Sequence, residues 1–210
     1  MQKIGFCDKF SLTQAVLSGT KTMTRRLEKG LQRSIAEYEK MYHETFNFNT
    51  EYQSWSSTIN KLVVGAPHAT IYVLTRYKLN EVVAVAQAYK DFLLFNHAVI
   101  ENSKQTTAGT TKGWSNKFFV KPDFMPHQIQ ITGVRIERFQ AISDDDCFKE
   151  GVLTNQFGDY WFKGFPPQKV VASMTPREAF ALLIDRPGVG RKGLWKSNPW
   201  VVVYTFKLIK

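Results

Sequence analysis

Gly19-Thr20-Lys21-Thr22-Met23-Thr24-Arg25-Arg26 puts three cations and three threonine hydroxyls into eight residues. The residues before it read as a short helix. Leu12, Ala15 and Val16 recur at helical spacing, Ser11 is the expected N-cap, and Gly19 supplies the stop. The β-branched run that follows suits a strand. A helix therefore hands the chain to a strand bearing positive charge and hydroxyls. Arg supplies forked donors, Lys a point charge and Thr a neutral donor-acceptor, a set that suits an anionic or polar ligand such as a nucleotide. A solvated basic strand with no ligand has the same composition, and the stretch alone leaves both readings open.

Further stretches fall into an order around this one. They are Tyr77-Lys78-Leu79-Asn80-Glu81-Val82-Val83-Ala84-Val85-Ala86, Met125-Pro126-His127 running on through Ile129 to Arg135, Ile142 through Val152 with its Asp144-Asp145-Asp146 run, and Asn198-Pro199-Trp200 through Phe206. With Phe10 and Leu17 through Arg26, these pieces resemble the ASCH domain family of the PUA-like superfamily, in family order and over most of the chain. The resemblance implies a cleft between barrel and helices that binds RNA or nucleotides. It extends, more distantly, to small bacterial relatives that hydrolyse the acetyl amide of N4-acetylcytidine with a lysine, a threonine and a glutamate. Those three match Lys21, Thr24 and Glu150, and an arginine two places after the threonine matches Arg26. The chain departs from these relatives in size, in an insertion at 27–68, and in the loops at 92–124 and 153–174.

Composition sets the bounds. At 210 residues, 43% of them hydrophobic, one domain spanning 1–210 with an insertion is expected. No run of eighteen apolar residues is present, and the N-terminus lacks a secretory hydrophobic segment, so no membrane association and a cytoplasmic location are expected. Cys7 and Cys147 lie far apart without CxxC spacing, which suits reduced thiols. With His43, His68, His97 and His127 they form no zinc pattern, so no metal is expected. Gly188 and Gly190 are not preceded by a strand and followed by a helix, so they make no dinucleotide fingerprint, and no cofactor is expected.

Lys and Arg number 28 against 18 Asp and Glu, leaving +10, an excess that favours polyanionic partners. One basic cluster opens the chain. A second, Arg186, Arg191, Lys192 and Lys196, surrounds Trp195. Cations interleaved with an aromatic can hold phosphate and stack a base; a half-buried tryptophan in a solubilising loop is the alternative. Lys21, Thr22, Arg25, Arg26, Arg191, Lys192 and Trp195 are thus the candidate nucleic-acid contacts.

Within 27–68, Leu31, Ile35, Tyr38 and Tyr42 form an amphipathic helix pattern, and Asn47 to Asn60 read as loop. Residues 69–74, 82–89, 128–139 and 200–206 read as strands, and residues 96–113 as a polar loop. On the strand from Gln128, Ile129, Ile131, Gly133 and Arg135 share one face by simple alternation. Ser143 and Asp146 suggest a capping box, as do Thr175 and Glu178. Glu150 stands at a helix C-terminus, where a carboxylate is disfavoured, so a nearby cation should compensate it. The expected fold is α+β and PUA-like, a small, partly open, mostly antiparallel β-barrel of about five to seven strands with helices packed at its ends.

Two functions follow as expectations. The first is a binding module whose basic cleft takes RNA or a nucleotide. The second is an amidohydrolase acting on an acylated nucleobase or nucleoside, in which neutral Lys21 activates Thr24 and Glu150 either orients the lysine or donates to the leaving amine. In a regular strand Lys21 and Thr24 face opposite sides, so the second requires a bulge, or Lys21 in the turn before the strand. An ion pair between Glu150 and Lys21 would instead favour binding. The sequence leaves oligomeric state open.

Overall fold

The helix-to-strand handover is present, but the strand begins only at Met23, leaving Lys21 and Thr22 in the turn before it. The computed structural model describes residues 1–47, 52–92, 112–163 and 175–209. Residues 96–111 of the expected polar loop lie outside them. In chain order the elements are β1 (Gln2–Ile4), α1 (Leu12–Leu17), β2 (Met23–Arg26), α2 (Lys29–Tyr42), β3 (Gln53–Ser56), β4 (Lys61–Gly65), β5 (Thr70–Val73), β6 (Val82–Val85), α3 (Tyr89–Phe92), β7 (Gln128–Arg138), α4 (Asp144–Lys149), β8 (Leu153–Thr154), β9 (Tyr160–Trp161), α5 (Pro176–Ile184), α6 (Leu194–Ser197) and β10 (Trp200–Leu208).

The architecture is α+β. A five-stranded sheet runs in the order β1-β6-β7-β10-β2, with β1 parallel to β6 and the other pairs antiparallel. Among the described residues this sheet does not close into a barrel: β1 and β2 are its edges. The excursion expected to be loop instead contributes β3 to a three-stranded antiparallel sheet, β3-β4-β5. A short β8-β9 pair completes the strands.

The longest pairing, β7 with β10, carries a bulge. Thr205 pairs with Gly133 but Phe206 pairs with Ile131, so Thr132 is an extra residue on β7. Parity flips there. Ile129, Ile131, Val134 and Ile136 lie on one face with Phe206, Tyr204 and Val202, while Gly133, Arg135 and Glu137 lie on the other with Val203 and Val201. Simple alternation puts Gly133 and Arg135 with Ile129; the inserted residue is why they part. Gly133 is needed at the bulge, since a Cβ there would sit 2.3 Å from the Thr205 hydroxyl.

One buried apolar cluster joins the layers. It takes Leu31, Ile35 and Tyr38 from α2, Leu62 and Val64 from β4, the inward residues of β10, and Phe180 and Leu183 from α5. On one face α2 packs on β5 and β10; on the other α4 packs on β2 and α5.

The caps are mixed. Thr175 and Glu178 form the full capping box expected for α5. Ser143 caps α4 by accepting from the Asp146 N–H, but the Asp146 side chain does not return the bond. That carboxylate is committed to Arg25, Arg135 and Lys149 instead. Ser11 is not the cap the sequence suggests: it adopts φ 52° and its hydroxyl bonds no helix N–H. Gly19, at φ +75°, does end α1.

Candidate functional site

Strand β2 carries two kinds of side chain because its faces look into different surroundings. Register pairs Arg25 with Val203 and hence with Arg135, and places Thr24 and Arg26 beside Tyr204 and Val202 on the opposite face.

The Arg25 face meets α4 and β7 in a buried ionic cluster. The Arg25 guanidinium, 0% exposed, bonds Glu137 at 2.6 Å, Asp146 at 2.8 Å and Glu150 at 3.2 Å. Arg135 bonds Asp146 at 2.6 Å and Glu137 at 3.1 Å, and Lys149 reaches Asp146 at 3.2 Å. Burial opposes both charges. The surrounding carboxylates nevertheless hold Arg25 above its ordinary pKa, and the cations hold Asp146 below its own. Arg25 therefore has every carboxylate it can serve, and it is not free for a ligand.

Lys21 is fixed by its neighbours. Its N–H donates to the Ala15 carbonyl at the end of α1, and Thr22 N–H donates to the Lys149 carbonyl at the end of α4. The Lys21 ammonium, 2% exposed, donates to Glu150 Oε2 at 2.5 Å and to the Glu150 carbonyl at 2.7 Å. Glu150 closes α4 just before Gly151, whose φ of +104° makes the reversal. The carboxylate left unexplained by capping is thus compensated by Lys21 and Arg25. Burial pushes the Lys21 pKa down. Glu150 opposes this, Arg26 and Arg25 add to it, and the net direction is down.

A cleft of about 1070 Å³ runs along the free edge of β2. Lys21, Thr24, Arg26 and Glu150 all line it. Among the described residues the Thr24 hydroxyl has no hydrogen-bond partner. Arg26 donates to the Gly5 carbonyl at 2.7 Å and lies 5.6 Å from the Phe6 ring centre; its buried Nε has no partner among the described residues. One wall comes from the start of the insertion and the segment after β5, with Lys29, Arg33 and Arg76. The other comes from α5 and the loop beyond it, with Arg191. None of these four cations makes an ion pair with a described residue. Glu28 sits between the walls, buried, accepting from the Tyr204 hydroxyl at 2.5 Å and from the Arg76 N–H at 2.8 Å. Burial raises its pKa against those two bonds.

Of the candidates read from the sequence, Lys21, Thr24, Glu150, Arg26 and Arg191 share the cleft. Arg25 borders it with its charge already spent on three carboxylates. Thr22 and Lys192 are not among its lining residues. Trp195 is not either; its ring packs against Phe139 and Phe180. The tryptophan is half-buried, because the helix that carries it turns the ring onto the core. Sequence reasoning places Lys29 and Arg33 in the basic cluster that opens the chain without singling them out as contacts, although their i, i+4 spacing opposite buried Leu31 and Ile35 puts them on one helix face. It missed Arg76 and Phe118, for which no local signal exists.

Among the described residues no group of three or more His, Cys, Asp or Glu is placed to hold a metal ion, and no helix is long and apolar enough to cross a membrane. Cys7 and Cys147 are free thiols, and burial pushes Cys147 up to about 12. Comparison with family models, curated proteins and solved structures finds no match.

Proposed function

We propose that this chain is an ASCH-type, PUA-like module, its sheet a partly open barrel, that binds RNA or a nucleotide in the cleft beside β2. The observation that carries the reading is the unpaired charge there. Lys29, Arg33, Arg76 and Arg191 line this cavity, and none of them makes an ion pair with a described residue. A protein interior that satisfies Arg25 three times over leaves these four for a ligand. Binding of single-stranded RNA should weaken as salt rises, because each phosphate neutralised releases counterions. Equilibrium titration at two ionic strengths tests this. Affinity insensitive to salt, or undiminished by Arg26→Ala, contradicts it.

A second reading is favoured by one specific arrangement, a Thr24 hydroxyl with no partner among the described residues lining the same cleft as a buried lysine of lowered pKa. In an amidohydrolase, neutral Lys21 would take the Thr24 proton as Oγ attacks the acyl carbonyl. The Lys21 ammonium would then return that proton to the departing amine, and water would release the acid from the threonine ester. Lys21 paired with Glu150 as an ammonium binds; Lys21 neutral reacts. On this reading Thr24→Ala abolishes acetate release from N4-acetylcytidine while leaving nucleoside binding within about tenfold, since a neutral hydrogen bond contributes only about 0.5–1.5 kcal/mol. The rate should rise with pH through a value below the ordinary lysine 10.5. Wild-type protein that binds RNA and releases no acetate removes the hydrolase reading and leaves the first.

A further inference from the structure

We infer that Phe118 is a preformed stacking platform for a nucleobase at the mouth of the cleft, which makes the ligand a single strand or nucleotide with an unpaired base. The inference rests on the nucleic-acid-binding reading and deepens it. Phe118 lines the cleft and is 62% exposed, an unfavourable place for a phenylalanine that makes no ring contact with an aromatic among the described residues. A single exposed apolar residue is ordinary. This one differs in being held in place.

Its turn, Lys117–Phe119, is fixed from three directions. The Lys3 ammonium donates to the Phe118 carbonyl at 2.7 Å and to the Val120 carbonyl at 2.6 Å. The buried Lys117 ammonium donates to the Phe6 carbonyl, to Asp8 at 2.8 Å and to the Thr13 hydroxyl at 3.1 Å. The Asn116 side chain accepts from the Phe118 N–H at 3.1 Å. The ring itself rests against Gly5. A Cβ on Gly5 would come within 2.8 Å of two ring atoms, so only glycine lets the ring lie there. The Gly5 carbonyl also accepts from Arg26. Ring and guanidinium thus share one residue as their seat, and a base stacked on Phe118 stands next to the cation suited to its phosphate. Aromatic platforms beside a cationic groove are how proteins hold single strands without reading sequence.

Phe119 supplies an internal control. It belongs to the same turn, is 58% exposed, and does not line the cleft. Anisotropy titrations with a labelled single-stranded oligoribonucleotide should show Phe118→Ala and Phe118→Leu weakening affinity at least about fivefold, as expected when one base stack is removed. The dependence of log K on log salt should keep its slope, because every phosphate remains held. Phe118→Trp should restore affinity, and its fluorescence should be quenched on binding. Phe119→Ala should bind as wild type. Phe118→Leu keeps apolar bulk, so it reads stacking even where the alanine variant folds poorly. Wild-type affinity in Phe118→Leu, or equal weakening at 118 and 119, overturns the platform while leaving the basic cleft standing. No strand binding by the wild-type protein overturns both.

Discussion

Arg25 and Arg26 are consecutive, identical in chemistry and carried by one strand, yet they belong to different parts of the molecule. Arg25 turns toward α4 and meets Glu137, Asp146 and Glu150. Arg26 turns toward the cleft and has one backbone carbonyl, an aromatic ring and a partnerless Nε. The strand's alternation assigns one charge to holding the fold and the next to facing a ligand. Basic residues in a motif are therefore not interchangeable evidence of binding; what each already bonds decides what remains for a partner. Glu150 joins the two regions, since one of its oxygens meets Arg25 and the other meets Lys21.

The sharpest way to break the comparison is to delete each arginine. Arg25→Ala leaves three carboxylates without their central cation, and removing one partner of a buried ionic pair costs about 3–5 kcal/mol. For a chain of this size the melting temperature should fall by roughly 10 °C. Arg26→Ala should lower it by less than half as much while weakening RNA binding. Thermal unfolding of both variants, read beside a binding titration, gives the answer. Equal destabilisation by the two would merge the regions into one.

The carboxylates on the two sides should also respond to pH with opposite sign. Asp146 is held below its ordinary 3.8, so the unfolded chain binds its proton first as pH falls. Its contribution is present above 3.8 and is lost as pH drops through the folded value. Glu28 is raised above its ordinary 4.5 by burial, so the unfolded chain loses that proton first as pH rises. Its contribution is present below 4.5 and is lost as pH climbs through the folded value. Urea unfolding between pH 3 and 7 should show Asp146→Asn losing its deficit relative to wild type in acid. Glu28→Gln, which removes the ionisable group and keeps one acceptor oxygen, should gain on wild type as pH rises. Parallel curves for either variant would remove that carboxylate from the account.

Much of the molecule is legible in the sequence where the signal is local. The stop at Gly19, the helix Lys29–Tyr42 with its 31, 35, 38 spacing, the Thr175 capping box and the apolar run of β10 are all short-range patterns. Glu150 is legible through a local contradiction, a carboxylate at the wrong end of a helix, and it leads to Lys21 across 129 positions. What escapes depends on distant pairing. The bulge at Thr132 exists only because β10 fixes the register on both sides of it, and it sends Arg135 and Glu137 to the Arg25 face. Strand β3, Gln53–Ser56, has the polar composition of loop and is a strand because β4 supplies its partner. Arg76 reaches the cleft through the fold, with no periodicity to announce it.

The smallest changes in stability should accompany the most direct test of the central claim. Arg33→Ala and Arg76→Ala remove exposed cations that make no ion pair with a described residue, so each should alter folding stability by no more than about 0.5 kcal/mol. If these residues hold phosphates, the double variant should bind single-stranded RNA more weakly at every sequence tried. The slope of log K against log salt should be shallower by about two, near one for each phosphate released from its arginine. Titrating wild type and the double variant across a series of salt concentrations measures that slope. A shallower slope at unchanged melting temperature is the predicted result; an unchanged slope, with wild-type affinity retained, would contradict the cleft as the nucleic-acid site.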